Sequence, residues 1–190
     1  MTTVACIIIA GGTREQLLDD KVLPSVLGQC FDEVVVVGQH RPGEGYRYLE
    51  VPALTHTTVD ALVKRDVGTV ATTSDILVYL SDDHALLGPV AATLRRIAPD
   101  IVVPARFADH PELGRVRIPN GEEGNYCAGH CGVFRRWVIQ DRPWTAQPHH
   151  RNWDLLASHN QRAAGWGVHY SGDTYCFAIL DLQPEREPWT

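Results

Sequence analysis

The stretch Ile76-Leu77-Val78-Tyr79-Leu80-Ser81-Asp82-Asp83-His84 joins an apolar run to a short acidic turn. An apolar run of this length is typical of a strand that is buried on both faces of a sheet. Two carboxylates after such a strand place negative charge where α/β proteins bind ligands. Their hard oxygen atoms suit Mg²⁺ or Mn²⁺. The same residues also fit an ordinary polar turn, because Asp and Ser are common in turns.

Strand and helix patterns alternate on both sides of this stretch. Apolar runs predict strands at 4–10, 34–37 and 101–105, with an edge strand at 46–51. Helical spacing of apolar residues predicts helices at 14–27, at 58–71 and from 88 onward. Pro24 predicts a kink or a late start in the first of these helices. This order predicts a three-layer α/β domain with a mainly parallel sheet and a ligand site at the carboxyl ends of its strands.

The second half of the chain has a less regular pattern. Residues 111–126 carry glycine, proline and charged residues, which predict a long loop. Residues 132–139 predict a strand or a short helix, and 153–164 predict an amphipathic helix. The irregular half therefore adds loops and a helix to a regular α/β core.

The composition fits one globular domain, with 190 residues, 44% of them hydrophobic and 21% charged. A net charge of -6 gives no general attraction to phosphate backbones, so nucleic acid would need local basic residues. The apolar runs are too short to span a bilayer, and the first residues have no signal-peptide pattern. Five scattered cysteines favour reduced thiols and hence a cytoplasmic location.

Further motifs lie on both sides of the acidic turn. Arg65-Asp66-Val67-Gly68 precedes it, and three other motifs are Leu23-Pro24-Ser25-Val26-Leu27-Gly28-Gln29, Gly129-His130-Cys131-Gly132-Val133-Phe134-Arg135-Arg136 and Asn152-Trp153-Asp154-Leu155-Leu156. Together with Ser81-Asp82-Asp83, these segments resemble, in order, the motifs of family 2-like glycosyltransferases of GT-A fold. Two departures stand out: Asp66 replaces the Asn of the family's Ala-Arg-Asn-x-Gly helix, and Ser81 replaces the first Asp of its Asp-x-Asp element.

The resemblance implies a three-layer α/β/α GT-A fold, that of the nucleotide-diphospho-sugar transferase superfamily. It implies a single domain over residues 1–190, with 1–105 as the nucleotide-sugar-binding half and 106–190 as the acceptor-binding half. The implied reaction moves a sugar from a nucleotide diphosphate sugar, expected to be a UDP-sugar, to an acceptor hydroxyl with inversion. The acceptor would be a saccharide, a lipid-linked glycan, a protein or a modified DNA base. It would be bound by one subunit or across a homodimer.

The resemblance also assigns roles to individual residues. It places Arg65, Asp82 and Asp83 at the donor. Position after the predicted strands adds Ala10, Gly11, Gly12, Arg14 and Gln39, with His40 beside Gln39 at the nucleoside. Asp83 would bind Mn²⁺ or Mg²⁺ directly, with His169 as a further ligand, and Asp82 would contact the ribose or support the loop. Asp154 would be the general base that removes the proton of the acceptor hydroxyl. The acceptor would contact Gly129, His130 and Trp153.

Two other interpretations stay open at the level of sequence. The segment from Gly11-Gly12-Thr13-Arg14 to Lys21 also resembles the signature of sugar nucleotidyltransferases, in which a lysine contacts nucleotide phosphates. Under that interpretation Lys21 would be essential, whereas a glycosyltransferase would need it little. A nucleotide-sugar-binding module without turnover is the second alternative. A nucleic-acid acceptor would depend on the arginines of the second half, which are Arg106, Arg115, Arg117, Arg135 and Arg136.

Overall fold

Strands and helices alternate along the chain as the sequence predicts. The structure is a computed structural model that describes residues 1–55, 57–97, 101–103, 105–110, 114–118, 132–141, 143–146, 168–170 and 176–179. The strands are β1 (Val4–Gly11), β2 (Glu33–Gln39), β3 (Arg47–Glu50), β4 (Ile76–Ser81), β5 (His84–Leu87), β6 (Ile101–Val103), β7 (Ala105–His110), β8 (Gly114–Ile118), β9 (Val133–Arg135), β10 (Val168–Tyr170) and β11 (Cys176–Ile179). The helices are α1 (Glu15–Leu17), α2 (Leu23–Leu27), α3 (Thr57–Ala71), α4 (Val90–Ile97) and α5 (Arg136–Asp141), with a π-helical turn at Leu18–Val22 and a 3-10 turn at Trp144–Ala146.

A seven-stranded sheet in the order β10-β6-β9-β4-β1-β2-β3 forms the centre of the structure. Strand β1 pairs in parallel with both β2 and β4, and β2 pairs in parallel with the edge strand β3. Strand β9 runs antiparallel between β4 and β6, and β6 pairs in parallel with β10. A second sheet has the order β5-β11-β7-β8. The mainly parallel central sheet confirms the predicted α/β fold class.

The core lies on both faces of β1, which is buried from Val4 to Ala10. Cys6 and Ile8 face a cluster that includes residues of α2, the π-helical turn and α4, whereas Ala5 and Ile7 face a cluster that includes residues of α3 and α5. Each buried Ile side chain contributes about 1.5 to 3 kcal/mol through apolar burial. The alternating side chains of one apolar strand thus bind helices on both faces and produce three layers.

The predicted kink near Pro24 takes the form of the π-helical turn, which joins α1 to α2. Pro24 lies in the first turn of α2, where its missing N–H costs least. The wider π turn keeps Leu18 and Val22 buried together with Val26 of α2. Turns of this kind occur often beside functional sites.

Two predictions of secondary structure are corrected by the structure, and one strand is not predicted at all. Residues 84–87 form this unpredicted strand, β5, because they pair with the distant strand β11. The strand predicted at 101–105 divides into β6 and the start of β7, which belong to different sheets. Within the loop predicted at 111–126, residues 114–118 form β8, which is antiparallel to β7. The helix predicted at 153–164 lies outside the described residues.

Residues 132–139 include both of the elements that their pattern allows. Val133–Arg135 forms β9, and the chain enters α5 at Arg136. None of the helices in the described ranges is long and apolar enough to cross a membrane.

Candidate functional site

Asp82 and Asp83 form a tight turn between β4 and β5. The backbone N–H of Asp82 donates to the carbonyl of Ile9 at 3.1 Å, which extends the pairing of β4 with β1 by one residue. The backbone N–H of Gly11 donates to Asp82 Oδ2 at 2.7 Å. The two carboxylates, called the aspartate pair below, are therefore held at the carboxyl ends of β1 and β4, as predicted.

The guanidinium of Arg14 lies across the aspartate pair. Its Nη1 atom is 3.5 Å from Asp82 Oδ1 and 3.6 Å from Asp83 Oδ2. Arg14 precedes α1, and its side chain is 34% exposed, whereas those of Asp82 and Asp83 are 7% and 16% exposed. One cation thus offsets part of the repulsion between two adjacent carboxylates at the edge of the core.

The two carboxyl groups have opposite pKa shifts. Burial is the largest cause that raises the pKa of Asp82, and the charge of Asp83 raises it further against the effects of Gly11 and Arg14. Burial also raises the pKa of Asp83, but the hydrogen bond and charge of His84, with the charge of Arg14, lower it to about 2. His84 Nδ1 lies 2.5 Å from Asp83 Oδ1. Asp83 is therefore the more strongly anionic member of the pair.

Glycines let the ends of β1 and β2 approach each other beside the aspartate pair. Gly12 has a φ of +81°, and a Cβ there would lie 2.6 Å from Gln39 Oε1. A Cβ at Gly38 would lie 2.2 Å from the carbonyl oxygen of Ala10. The structure thus brings Ala10, Gly12 and Gln39 together, and Gly11 joins them through its bond to Asp82.

Lys64, which the sequence does not single out, supports this edge of the sheet from α3. Its side chain is fully buried, and Nζ lies 3.1 Å from the carbonyl oxygen of Ala10 and 2.6 Å from Asp60 Oδ2. A buried ammonium needs such partners because desolvation of its charge is costly. The sequence holds one indication of this contact: Lys64 follows Asp60 by four residues, a spacing that places both side chains on the same face of a helix.

His40, which follows β2 and is expected from its position to contact a nucleoside, packs into the protein instead. Its imidazole is fully buried, with Nε2 3.3 Å from Asp19 Oδ1 of the π-helical turn. The ring stacks on Tyr46 with 6.1 Å between centroids, and Asp19 also binds Arg41. In this conformation His40 packs between Asp19 of the π-helical turn and Tyr46 of the loop after β2.

Arg65 and Asp66 lie in a second polar cluster, between α3 and the 3-10 turn. The side chain of Arg65 is nearly fully buried, with Cζ 5.4 Å from the centre of the Trp144 ring. The carboxylate of Asp66 accepts hydrogen bonds from the backbone N–H groups of Trp144 and Thr145, at 2.8 and 2.9 Å, and from the Thr145 hydroxyl at 2.7 Å. Because Arg65 is only 1% exposed, its predicted contact with the donor would require a rearrangement of the residues around it, which include Trp144.

Arg136 belongs to the same region and is bound by the end of α3 and the turn that follows. Its three guanidinium nitrogens donate to Ser74 O at 2.7 Å, Thr69 O at 2.9 Å and Thr72 Oγ1 at 2.8 Å. These bonds hold α5 against α3, so Arg136 acts as a structural residue and is not available to a nucleic-acid acceptor. The residues Arg65, Asp66, Arg136, Trp144 and Thr145 are called the anchor cluster below.

The other predicted residues are placed only in part. Asp154, Gly129, His130 and Trp153 lie outside the described residues. His169 lies in β10, paired with Val102 of β6, and β6 and β9 separate it from β4 in the sheet order. Among the described residues, no three His, Cys, Asp or Glu side chains are grouped as a metal site. The aspartate pair would thus supply two carboxylates to an ion that takes its other ligands elsewhere.

Comparisons with known proteins find similarity in structure. No protein-family model matches the chain, and no curated protein sequence matches it. Three crystal structures of S. aureus TarS are similar. One TarS structure matches with a TM-score of 0.64 and 13% identity over 95% of this chain and 37% of that chain. TarS 1–349 matches with a TM-score of 0.65 and 14% identity over 95% of this chain and 60% of that chain. TarS 1–349 in complex with UDP matches with a TM-score of 0.64 and 13% identity over 97% of this chain and 62% of that chain.

These similarities concern the fold. They cover nearly all of this chain, which spans less than two thirds of each TarS chain. Together with the sheet order they confirm the GT-A fold that the sequence predicts.

Proposed function

We propose that this chain transfers a sugar from a nucleotide diphosphate sugar, a UDP-sugar, to an acceptor hydroxyl. The observation that carries the proposal is the convergence of Asp82, Asp83, Arg14 and the Gly11-Gly12 turn at the carboxyl ends of β1 and β4. In α/β folds this edge is where ligands bind. The presence of UDP in one of the similar TarS structures supports a uridine nucleotide.

The donor atoms of the aspartate pair fit a divalent cation. Two carboxylate oxygens, one from each residue, already lie within 3.6 Å of one cationic nitrogen, Arg14 Nη1. Oxygen ligands from carboxylates are those that Mg²⁺ and Mn²⁺ prefer. When bound, the ion would neutralise the charge that develops on the leaving nucleoside diphosphate.

The residues around the aspartate pair would orient the donor. Gly11 and Gly12 let Asp82 and Gln39 lie directly against the backbone at the end of β1, so that both side chains stand where the donor would bind. Gln39 is exposed beside Gly12 and presents an amide to the nucleoside. Lys64 keeps the end of β1 in place through the carbonyl of Ala10.

The residues of the second half have the roles that the sequence predicts for them. Asp154 is the general base, and Gly129, His130 and Trp153 contact the acceptor. A carboxylate in that role must take the proton of the attacking hydroxyl as the bond to the sugar forms. His169 contributes to the metal only if its segment approaches the aspartate pair in the complex, and Arg65 contacts the donor only if Trp144 moves.

Hydrolysis of a UDP-sugar in the presence of Mn²⁺ tests the proposal without knowledge of the acceptor. A thermal-shift screen of nucleotide sugars first selects the donor. Asp83→Asn then lowers turnover about 100-fold, as expected when a group that stabilises developing charge is removed. Asp154→Asn lowers turnover as well, because water loses its general base.

The control in this experiment is Lys21→Ala. Lys21 is exposed on the π-helical turn, so its loss leaves turnover within about threefold of the original if the chain is a glycosyltransferase. Loss of activity in Lys21→Ala, with Asp83→Asn unaffected, would instead identify a nucleotidyltransferase. The absence of any metal-dependent nucleotide binding would contradict the proposal altogether.

A further inference from the structure

Every oxygen of the aspartate pair has a partner within the protein. Asp82 Oδ2 accepts the N–H of Gly11 at 2.7 Å, and Asp83 Oδ1 lies 2.5 Å from His84 Nδ1. The other two oxygens, Asp82 Oδ1 and Asp83 Oδ2, both face Arg14 Nη1 at 3.5 and 3.6 Å. The contacts with Gly11 and His84 thus orient the two carboxylates, and the two remaining oxygens face the cationic side chain of Arg14.

The partners of these oxygens differ in how easily they leave. Gly11 is a backbone group at the end of a buried strand, and His84 is a nearly buried side chain adjacent in sequence to Asp83. Arg14, in contrast, is attached through a long flexible side chain that is 34% exposed. It occupies the N-cap position of α1, but its side chain makes no capping hydrogen bond there. The first turn of α1 therefore does not depend on a capping bond from the Arg14 guanidinium.

We propose that Arg14 is a resident cation of the aspartate pair and that a divalent ion binds only by displacing it. An ion held by Asp82 and Asp83 would draw on the two oxygens that face Arg14, because Gly11 and His84 already bind the other two, and it would compete with the guanidinium there. Repulsion between the two cations also favours exchange over joint occupancy. The displaced Arg14 remains at the mouth of the site, where its charge is complementary to a diphosphate.

This inference rests on the proposed function only in that the function supplies a use for the ion. Before the ion arrives, Arg14 offsets part of the negative charge of the aspartate pair, which reduces the repulsion between two adjacent carboxylates. It also makes weak ion binding in the free protein a consequence of Arg14. The ion and the guanidinium compete for one position, so removal of Arg14 strengthens ion binding.

Binding of Mn²⁺ alone, measured by electron paramagnetic resonance and by calorimetry without any nucleotide, tests the exchange. Arg14→Gln removes the charge and keeps a polar side chain, and we expect it to bind Mn²⁺ about tenfold more tightly, a difference of about 1.4 kcal/mol. Arg14→Lys keeps the charge and leaves Mn²⁺ binding close to that of the original protein. Arg41→Gln is the matched control, because Arg41 pairs with Asp19 outside the aspartate pair.

The outcomes separate the exchange from the proposed function. Unchanged or weaker Mn²⁺ binding in Arg14→Gln would overturn the exchange, as would an equal gain in Arg41→Gln, which would reflect net charge alone. If Arg14→Gln fails to fold, Mn²⁺ binding by Arg14→Lys that is tighter than that of the original protein would overturn it. Tighter Mn²⁺ binding by Arg14→Gln in a protein that binds no nucleotide sugar would uphold the exchange and contradict only the proposed function.

Discussion

The aspartate pair and the anchor cluster use the same residue types in opposite ways. The carboxylate of Asp66 binds two backbone N–H groups and a hydroxyl of the 3-10 turn, and Arg136 binds two backbone carbonyls and a hydroxyl near the end of α3. Asp83 instead contacts the side chains of His84 and Arg14. Backbone partners are fixed by the fold, whereas a long exposed side chain can be exchanged for a ligand. The comparison indicates that the anchor cluster serves the fold, and it leaves the aspartate pair with the exchangeable partner that the proposed function requires.

The largest expected effect in the anchor cluster follows from removal of Asp66. Asp66→Ala leaves two backbone N–H groups and the Thr145 hydroxyl without their acceptor, next to the buried ring of Trp144. The free energy of unfolding, from urea titration, falls by about 1.5 to 3 kcal/mol, the range for hydrogen bonds to a charged group. Binding of Mn²⁺ by the folded protein stays unchanged.

Asp20→Ala is the matched control for Asp66→Ala, because Asp20 is exposed on the π-helical turn. Its free energy of unfolding stays within about 0.5 kcal/mol of the original. Loss of Mn²⁺ binding in Asp66→Ala at undiminished stability would place Asp66 in the functional site and break the comparison.

A smaller effect is expected where α3 packs on β1 beside the anchor cluster. A Cβ at Gly68 would lie 2.4 Å from Ile7 Cγ2, so Gly68→Ala overpacks the interface and lowers the free energy of unfolding by about 1 to 3 kcal/mol. Helix propensity alone predicts the opposite sign, a gain of about 1 kcal/mol. The sign of the change in urea unfolding therefore decides, with Val70→Ala on the exposed face of α3 as the control that is not destabilised.

The smallest expected effect concerns the pH dependence of the turn that Arg136 binds. Glu33 Oε1 accepts hydrogen bonds from the backbone and hydroxyl groups of Thr73 and Ser74. Burial raises the pKa of Glu33, but these hydrogen bonds outweigh it and lower the pKa below 4.5. The stabilising contribution is therefore complete above the unfolded-state pKa and is lost as the pH falls through the lower folded-state pKa.

Comparison of the original protein with Glu33→Gln isolates this contribution. The difference between their free energies of unfolding is present at about pH 7 and shrinks as the pH falls through the folded-state pKa of Glu33. Glu44→Gln, in an exposed loop, is the matched control for the loss of one negative charge. A difference that is constant over this range would mean that the charge of Glu33 contributes nothing to the turn.

The sequence predicts the central sheet well because its strands are marked by local composition. The apolar runs that became β1, β2 and β4 are buried on both faces, so they lack the alternation that would leave their type ambiguous. Strands β5 and β8 are missed because each depends on pairing with another strand, β11 and β7, whose position no local pattern reveals.

The sequence predicts the location of a site residue when that location follows from its place in a strand. It does not predict the location when this depends on which distant residue the side chain contacts. Asp82 and Asp83 follow a buried strand, so their place at its carboxyl end follows from the sequence. Arg65 and Asp66 match a family motif as Asp82 and Asp83 do. Their contacts, however, are with Trp144, which lies far along the chain and is not indicated by the motif. The pairing of Arg14 with both aspartates likewise depends on a contact across 68 residues.

Binding of UDP measured by calorimetry, with and without Mn²⁺, tests most directly whether the aspartate pair is a nucleotide-sugar site. We expect the original protein and Asp66→Asn, studied under conditions in which both are folded, to bind UDP only when Mn²⁺ is present. Asp83→Asn loses this metal-dependent binding by about 100-fold or more. UDP binding that is equal in Asp83→Asn and the original protein, or is lost in Asp66→Asn alone, would contradict the account.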